Sequence, residues 1–306
     1  MVSVVVATYN RATFLPRMIG AIMAQDLPEA LELIIVDNGS TDGTEELVRD
    51  AIRTAGRPIS YHRLEANLGP GSRNVGIEAA RGRFVAFTDS DCAPEPGWLR
   101  EALAAFSEPG VGIVQGHTEA SRDRAPLLSH YIVTRKLDGS YSTSNIVYRR
   151  EAIGDLRFDP DCLYWEDVDL GWRVVTSGWK AVYADRAIVR HEVIPLSPMK
   201  WLSWPRHFEN WPAKAARYPG FRKHLFLRVW VSPIHFVFDL ALVGVALAIW
   251  QPFALLLGIP YVVEFVHTRG LRGKFPPAKI AAHVAWDFVA FGSLLVGSAR
   301  SRALVL

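Results

Sequence analysis

Cysteine is nearly absent from this sequence of 306 residues, which contains only Cys92 and Cys162. The two are not in a C-x-x-C spacing, and a disulfide scaffold is implausible at this chain length, so the pattern is typical of a reducing compartment. The first ten residues, MVSVVVATYN, also lack the basic segment of a signal peptide. We therefore expect the N-terminal part of the chain to stay in the cytosol.

Positive charge is in deficit in the first part of the chain, and acidic residues are in deficit in the last part. Residues 1–199 contain 21 Lys and Arg against 27 Asp and Glu, a net charge of −6, whereas residues 200–306 contain 13 against 4, a net charge of +9. A basic and strongly apolar tail favours a membrane surface as its partner and argues against a nucleic-acid-binding arm. We expect two regions, residues 1–198 and residues 199–306.

Short β-branched runs alternate with segments of helical periodicity near the N-terminus. The first run, residues 2–9, is apolar enough for a strand that is buried on both faces. The alternation predicts right-handed βαβ units and hence an α/β fold, a mostly parallel sheet with helices on both faces. Sites in such sheets gather at the carboxyl ends of the strands. The other predicted strands are 31–37, 58–64 and 83–88, and the predicted helices are 13–25, 44–56 and 71–81.

Two carboxylates directly follow the fourth predicted strand, in the stretch VAFTDSDCAP. Asp89 and Asp91 are two positions apart, so on an extended backbone they point to the same side and repel unless a cation lies beside them. Such oxygen ligands suit Mg²⁺ or Mn²⁺ together with a substrate phosphate. Asp37 ends a neighbouring strand and is a third candidate. Taken alone, a D-x-D pair before two prolines is more often a turn, so the interpretation depends on the rest of the sequence.

Residues 65–82 are rich in glycine but match neither a dinucleotide-binding motif nor a P-loop. Their glycines do not follow the G-x-G-x-x-G spacing, and no lysine occupies the Walker position. Both of those nucleotide sites are therefore disfavoured. Arg73, near a predicted helix start, is a candidate for a phosphate contact, and the alternative is a solvated surface arginine.

A second acidic group lies in LYWEDVDLGW, residues 163–172. Acids at a predicted helix start stabilise the helix dipole, which is the simplest explanation for them. Tyr164 and Trp165 precede them, however, and an aromatic ring beside a carboxylate is a common way to seat a sugar against a base. His191 follows a later predicted strand, although a single histidine is more often a packed or surface residue than a ligand. The three acids are Glu166, Asp167 and Asp169.

Taken together, these stretches resemble the family 2 glycosyltransferases. The resemblance covers nearly all of residues 1–195, and its motifs occur in the family's order; each motif alone is weak, but the set is specific. It implies a GT-A fold, the fold of nucleotide-diphospho-sugar transferases. The matching stretches are SVVVATYNR (3–11), IIVDNGSTDGT (34–44), NLGPGSRNVGIEAARGRFVAFTDSD (67–91), SNIVYRREAI (144–153), FDPDCLYWEDVDLGWRV (158–174) and His191.

The resemblance also implies roles for particular residues. Asp89 and Asp91 would form the D-x-D pair, and His191 would complete a site for Mg²⁺ or Mn²⁺ on the donor diphosphate. Asp167 would be the general base, a choice over Asp169 that only the resemblance makes. The remaining candidates are Thr8, Tyr9, Asp37 and Arg73 on the donor side, and Asn145, Arg149, Trp165 and Glu166 on the acceptor side.

The reaction implied by the resemblance is transfer with inversion. An acceptor hydroxyl would attack the anomeric carbon from the face opposite the leaving nucleotide, and its proton would go to Asp167. The metal would neutralise the charge that develops on the departing diphosphate. Some relatives of this fold use basic residues instead of a metal. Residues 119–143 are the least family-like part, so the acceptor is not identified.

The last part of the chain is expected to meet a membrane. Residues 199–223 interleave three tryptophans with basic residues, a composition typical of a membrane interface. Residues 240–263 carry no charge and are long enough for one span. Pro252 allows an alternative, a hairpin of residues 229–250 and 252–266.

We prefer the hairpin, because it keeps the basic residues of 267–279 on the cytosolic side. Residues 280–297 are then a third span or an interfacial helix. The chain is thus expected at the cytosolic face of the cytoplasmic membrane, transferring a sugar from a nucleotide-diphospho-sugar to a lipid-linked saccharide in cell-envelope or polysaccharide biosynthesis. The oligomeric state is not determined.

Two alternatives remain open. A polyprenyl-phosphate glycosyltransferase would share the fold and the membrane region, although EDVDL and His191 fit a saccharide acceptor better. A non-catalytic membrane protein that only binds nucleotides is an alternative of a different class. No nucleic-acid partner is expected.

Overall fold

The structure, a computed structural model, describes residues 1–123, 125–126, 128–268 and 277–306. It divides into two compact units, Met1–Ile194 and Pro195–Leu306.

The N-terminal unit is a mixed α/β structure. Its strands are β1 (Val2–Thr8), β2 (Leu31–Asp37), β3 (Ile59–Arg63), β4 (Phe84–Phe87), β5 (Cys92–Pro94), β6 (Val111–Ala120), β7 (Ser129–His130), β8 (Ile146–Arg149) and β9 (Lys180–His191), and β10 (Ile194–Pro195) lies at the division. Its helices are α1 (Leu15–Met23), α2 (Thr44–Thr54), α3 (Ser72–Ala79), α4 (Trp98–Ala104), α5 (Arg150–Ile153) and α6 (Glu166–Thr176).

Eight strands of the described residues form one sheet, in the order β3-β2-β1-β4-β8-β6-β9-β5. The strands β1 to β4 pair in parallel, β6 and β9 pair in parallel, and β8 runs antiparallel between β4 and β6. The sheet is therefore mostly parallel, which confirms the predicted fold class.

The apolar runs of the sequence form the middle of this sheet. Every residue of β2 is buried, and β1 is buried along nearly its whole length. The helical periodicity of the first predicted helix has the same origin, because the buried residues of α1 form the face that packs on the core. They are Leu15, Met18, Ile19 and Ile22.

Strand register brings several polar residues to one edge of the sheet. Thr8 and Asp37 are paired at the carboxyl ends of β1 and β2. Asp89 follows β4 after a single residue, at the same edge. The short strand β5 pairs antiparallel with β9 so that Cys92 faces His191, which places Asp91 beside that histidine.

The C-terminal unit is helical among the residues described. Its α-helices are α7 (Pro198–Ser203), α8 (Trp211–Arg217), α9 (Pro233–Leu247), α10 (Ile259–Thr268) and α11 (Pro277–Ser301), with 3₁₀ segments at Trp204–Asn210, Pro219–His224 and Pro252–Gly258.

The predicted hairpin is present as two apolar helical segments that pack on each other, Pro233–Leu247 and Pro252–Thr268, and its insertion in a membrane stays a prediction. The helix expected over residues 229–250 is α9, of 15 residues, which at 1.5 Å per residue is about 22 Å long and shorter than a hydrocarbon core of about 30 Å. A continuous helix over residues 240–263 is not formed, because α9 ends at Leu247 and the next helical segment begins at Pro252. That segment packs closely on α9, where a Cβ at Gly244 would lie 2.6 Å from the carbonyl oxygen of Ala254.

Among the described residues, α11 is the helix that is long and apolar enough to cross a membrane, judged by length and composition. It contains the stretch 280–297, whose two polar interruptions are buried. His283 packs against the ring of Trp201, with centroids 5.3 Å apart, and Asp287 accepts a hydrogen bond of 2.8 Å from the Tyr261 hydroxyl. The predicted cytosolic segment 267–279 falls largely on residues 269–276, which lie outside the described residues.

Candidate active site

Asp89, Asp91 and His191 meet at the carboxyl edge of the sheet. Their ligand atoms and the Cys92 sulfur all lie within 4.8 Å of one another. Burial raises the pKa of Asp91, and the nearby His191 only partly offsets this. Two carboxylates and an imidazole at this spacing fit a divalent cation that accepts oxygen and nitrogen ligands.

The orientation of His191 leaves one ring nitrogen for such an ion. Its Nδ1 lies 2.8 Å from the backbone carbonyl of Glu192, and a carbonyl can only accept, so Nδ1 carries the proton. Nε2 then has a free lone pair and lies 3.8 Å from Asp91 Oδ1, beyond hydrogen-bond distance. This arrangement, a ligand whose other nitrogen is fixed by a hydrogen bond, is common among metal-binding histidines.

Arg73 connects the D-x-D pair to the second acidic group. Its guanidinium donates to Glu166 at 3.0 Å and to Asp89 at 3.4 Å, and it also lies over the Phe158 ring. The surface alternative for Arg73 is thus wrong, since its side chain is only 17% exposed. Arg73 thereby connects Glu166, 93 positions away in the chain, with Asp89, 16 positions away.

Asp167 lies in the first turn of α6. The helix is preceded by Trp165 in a left-handed conformation, with φ of 63°, which is strained for a bulky residue. Asp167 keeps some solvent exposure, but its carboxyl group is surrounded by protein. That burial, followed by the charge of Glu166, raises its pKa to about 8.

Asp169, the competing base candidate, is engaged elsewhere. Its carboxylate accepts a hydrogen bond of 2.8 Å from the Arg173 guanidinium one turn along α6, and its side chain is 1% exposed. An acid held in this way stabilises the helix and is not available to a substrate hydroxyl.

The donor-side candidates lie at the same edge but differ in their surroundings. Thr8 is buried, and its hydroxyl has no hydrogen-bond partner within the described part of the chain. Tyr9 is 47% exposed. Asp37 is fully buried, and protein groups occupy both of its oxygens, so it orders the loop after β2. The donors to Asp37 are the Ser40 amide and hydroxyl, the Tyr61 hydroxyl and the Arg63 guanidinium.

Two residues expected on the acceptor side have other roles in the structure. Asn145 is buried, with 1% of its surface exposed. Its side chain accepts a hydrogen bond from the Trp98 indole and donates to the backbone carbonyls of His117 and Ala187. Arg149 pairs with Phe84 at the start of β4, away from the D-x-D end. Its guanidinium donates to the backbone carbonyls of Val111 and Phe106.

Sequence reasoning missed two basic groups beside the D-x-D pair. Arg11 Nη2 lies 3.8 Å from Asp91 Oδ2, and it was within the quoted motif SVVVATYNR. His130 has its ring 5.9 Å from that of His191, edge to face. Burial and the neighbouring His191 lower the pKa of His130 to about 4, so it is neutral at pH 7. It lies in the least family-like segment, where no pattern marked it.

The chain is similar to known glycosyltransferases. The model of glycosyl transferase family 2 matches residues 3–156, and that of glycosyl transferase family group 2 matches residues 84–267. Glycosyltransferase AglE of Haloferax volcanii is 28% identical over 216 residues, which are 65% of this chain and 69% of that protein. Pre-mycofactocin glycosyltransferase of Mycobacterium tuberculosis is 32% identical over 214 residues, 62% of this chain but only 42% of that protein.

The fold has solved counterparts. A mannosyltransferase from Pyrobaculum calidifontis, in complex with GDP-Man and Mn²⁺, superposes with a TM-score of 0.60 at 19% identity, covering 98% of this chain and 86% of that one. At this identity the likeness shows the fold, and it confirms the GT-A architecture expected from the sequence. Since the family model spans half of the chain, the chain belongs to glycosyl transferase family 2.

Proposed function

We propose that the chain transfers a sugar, with inversion, from a nucleotide-diphospho-sugar to a hydroxyl of a lipid-linked saccharide. The observation that carries this proposal is the pairing of two groups at one edge of the sheet. One is the Asp89, Asp91 and His191 cluster, and the other is the protein-enclosed Asp167. Arg73 ties the two together through Asp89 and Glu166.

Asp91 and His191, with Asp89 alongside, would hold the divalent cation. Their donor set fits Mg²⁺ or Mn²⁺, because carboxylate oxygens dominate it and the imidazole Nε2 lies 3.8 Å from Asp91 Oδ1. When bound, the ion supplies Lewis-acid stabilisation of the leaving diphosphate. Arg11, at 3.8 Å from Asp91, offers a further positive charge on the same side.

Asp167 is the proposed general base. With its pKa raised to about 8, its carboxylate binds a proton strongly, which suits a group that takes one from an acceptor hydroxyl. Glu166 is held by Arg73 and Asp169 by Arg173, so Asp167 is the acid of this group whose oxygens keep capacity for a substrate. One displacement from the face opposite the leaving group would invert the anomeric centre.

The donor class, a nucleotide-diphospho-sugar, is supported by the family and by the GDP-Man of the mannosyltransferase structure. The proposal places the chain at the cytosolic face of the cytoplasmic membrane, where a lipid-linked acceptor would lie, and the C-terminal unit supports the membrane attachment that this requires. That unit exposes large apolar side chains, such as Ile249 and Phe253, at 80% and 81%.

The test is the release of nucleoside diphosphate by the full chain in detergent, from a panel of UDP-, GDP- and dTDP-sugars. The panel is run with and without a lipid extract. Transfer that requires lipid-linked saccharide supports the proposal. Transfer to a polyprenyl phosphate alone would favour the charging enzyme instead, and nucleotide binding without any release would leave only a binding protein.

A further inference from the structure

The proposed metal site has a sulfur atom beside its oxygen and nitrogen ligands. Cys92 faces His191 across the β5–β9 pair, and its Sγ lies within 4.8 Å of the ligand atoms of Asp89, Asp91 and His191. Cys92 and His191 are each 2% exposed, so both are enclosed by protein. The Nε2 atom of His191 is also beyond hydrogen-bond distance of Asp91.

A thiolate changes which ions such a site prefers. Carboxylates alone suit Mg²⁺ and Mn²⁺, whereas soft thiolate ligands select ions such as Zn²⁺, which binds sulfur, imidazole and carboxylate in four-coordinate sites. Cys92 and His191 supply sulfur and imidazole ligands from the paired strands β5 and β9, and Asp91, directly before β5, supplies a carboxylate. The ion would therefore meet a mixed site and not an oxygen-only one.

We propose that Cys92 is a fourth ligand that makes this site bind thiophilic divalent ions, Zn²⁺ and Cd²⁺, in competition with the ion used for sugar transfer. The inference rests on the metal site of the proposed function. On binding, the S–H bond of Cys92 breaks, a sulfur–metal bond forms and the proton passes to solvent, with no change of oxidation state. Under this proposal, thiophilic ions are inhibitors of the enzyme.

The alternative is that Cys92 is only a core residue. It packs in the apolar cluster that includes Leu15, Met18 and Trp98. A free cysteine commonly behaves as a small hydrophobic side chain. In that case substitution at Cys92 would change stability but leave the choice of metal as it is.

The test uses the full chain in detergent, with Cys162→Ser as background so that Cys92 is the one remaining thiol. Addition of Co²⁺ should produce visible d–d bands together with a thiolate-to-cobalt charge-transfer band in the near ultraviolet. In Cys92→Ser on the same background, the charge-transfer band should vanish while the d–d bands persist. The preference for Zn²⁺ over Mn²⁺ should fall by about tenfold or more, the scale on which altered ligand surroundings change metal affinity.

The outcomes separate the two levels of the proposal. Visible Co²⁺ bands without charge transfer, or an unchanged Zn²⁺ to Mn²⁺ preference in Cys92→Ser, would overturn the role of Cys92 and leave the metal site standing. Metal binding that is absent, or that survives in Asp91→Asn, would overturn both. If Cys92→Ser fails to fold by circular dichroism, the charge-transfer band of the Cys162→Ser protein decides the matter by its presence or absence.

Discussion

The two units of the chain treat apolar side chains in opposite ways. Of the described residues, eight large hydrophobics are exposed in Met1–Ile194 and seventeen in the shorter Pro195–Leu306. Those of the first unit are spread over the sequence from Met1 to Tyr164, whereas most of those in the second fall within residues 243–263. The described surface of the second unit therefore carries more large apolar side chains than that of the first.

Polar groups follow the same division. In the first unit, several acids lie at one edge of the sheet, and two of them, Glu166 and Asp89, share the guanidinium of Arg73. In the second unit, Asp239 accepts a hydrogen bond from the Trp230 indole and Asp287 accepts one from the Tyr261 hydroxyl. We therefore expect catalysis to belong to the first unit and membrane attachment to the second, and substitutions in each unit test that separation.

The largest effect is expected from Asp167→Asn. Loss of the proposed base should lower turnover by about two to four orders of magnitude, the usual contribution of general-base catalysis, with donor binding nearly intact. Turnover and donor affinity are measured separately, and membrane association should equal that of the parent. Asp161→Asn, an exposed acid five residues before α6, is the matched control. Lost donor affinity with unchanged turnover would assign the base to another residue, with Glu166 and Asp169 next.

Asp91→Asn should lower turnover by about two to three orders of magnitude, a loss of the size seen when one electrostatic stabiliser of a transition state is removed. Unlike Asp167→Asn, it should also weaken donor binding, because the diphosphate loses its counter-charge. Asp185→Asn, an exposed acid on the strand that carries His191, should behave as the parent. Full activity of the parent in excess chelator would contradict a metal at this site.

A smaller effect is expected at the apolar surface of the second unit. Trp250→Ser or Phe253→Ser should each weaken binding to lipid vesicles by roughly tenfold or more, since burying one large apolar side chain contributes about 1.5–3 kcal/mol. Co-sedimentation measures the change, and Ile52→Ser, an exposed apolar residue of α2, is the control. Unchanged sedimentation of both variants would assign the attachment to α11.

Local sequence patterns predicted what depends on one strand or one helix. Buried β-branched runs ending in acids placed Asp37, Asp89 and Asp91 at one sheet edge, because burial and strand direction are local properties. Partners far along the chain left no such signal. Arg73 bonding Glu166, and Asn145 bonding Trp98, depend on tertiary approach that the sequence does not state.

The membrane region shows a different limit. An apolar run measures how hydrophobic a segment is, but not where a helix ends. Twelve Val, Leu, Ile and Phe residues in 229–250 suggested a span, yet Pro233 begins α9 and the helix ends at Leu247. In α11, by contrast, the polar residues His283 and Asp287 within 280–297 each have a partner in the same unit, which the sequence does not show.

The smallest predicted effect is on stability, and it sharpens the role of Asp167 without measuring catalysis. Its folded-state pKa of about 8 lies above the ordinary value of 3.8, so the folded protein holds this proton more tightly than the unfolded chain. At a pH below 3.8, Asp167 is protonated in both the folded and the unfolded state, and its burial costs little stability. As the pH rises towards 8, the unfolded chain releases the proton first, and stability falls by about 1.4 kcal/mol per pH unit from this group.

Asparagine cannot ionise, so Asp167→Asn should be more stable than the parent, and its advantage should grow by that amount between pH 6 and pH 7. Unfolding in urea at the two pH values measures it, with Asp161→Asn expected to show no such growth. An advantage that does not change with pH would mean that Asp167 is already ionised in the folded protein at both pH values, and that its pKa is not raised to about 8.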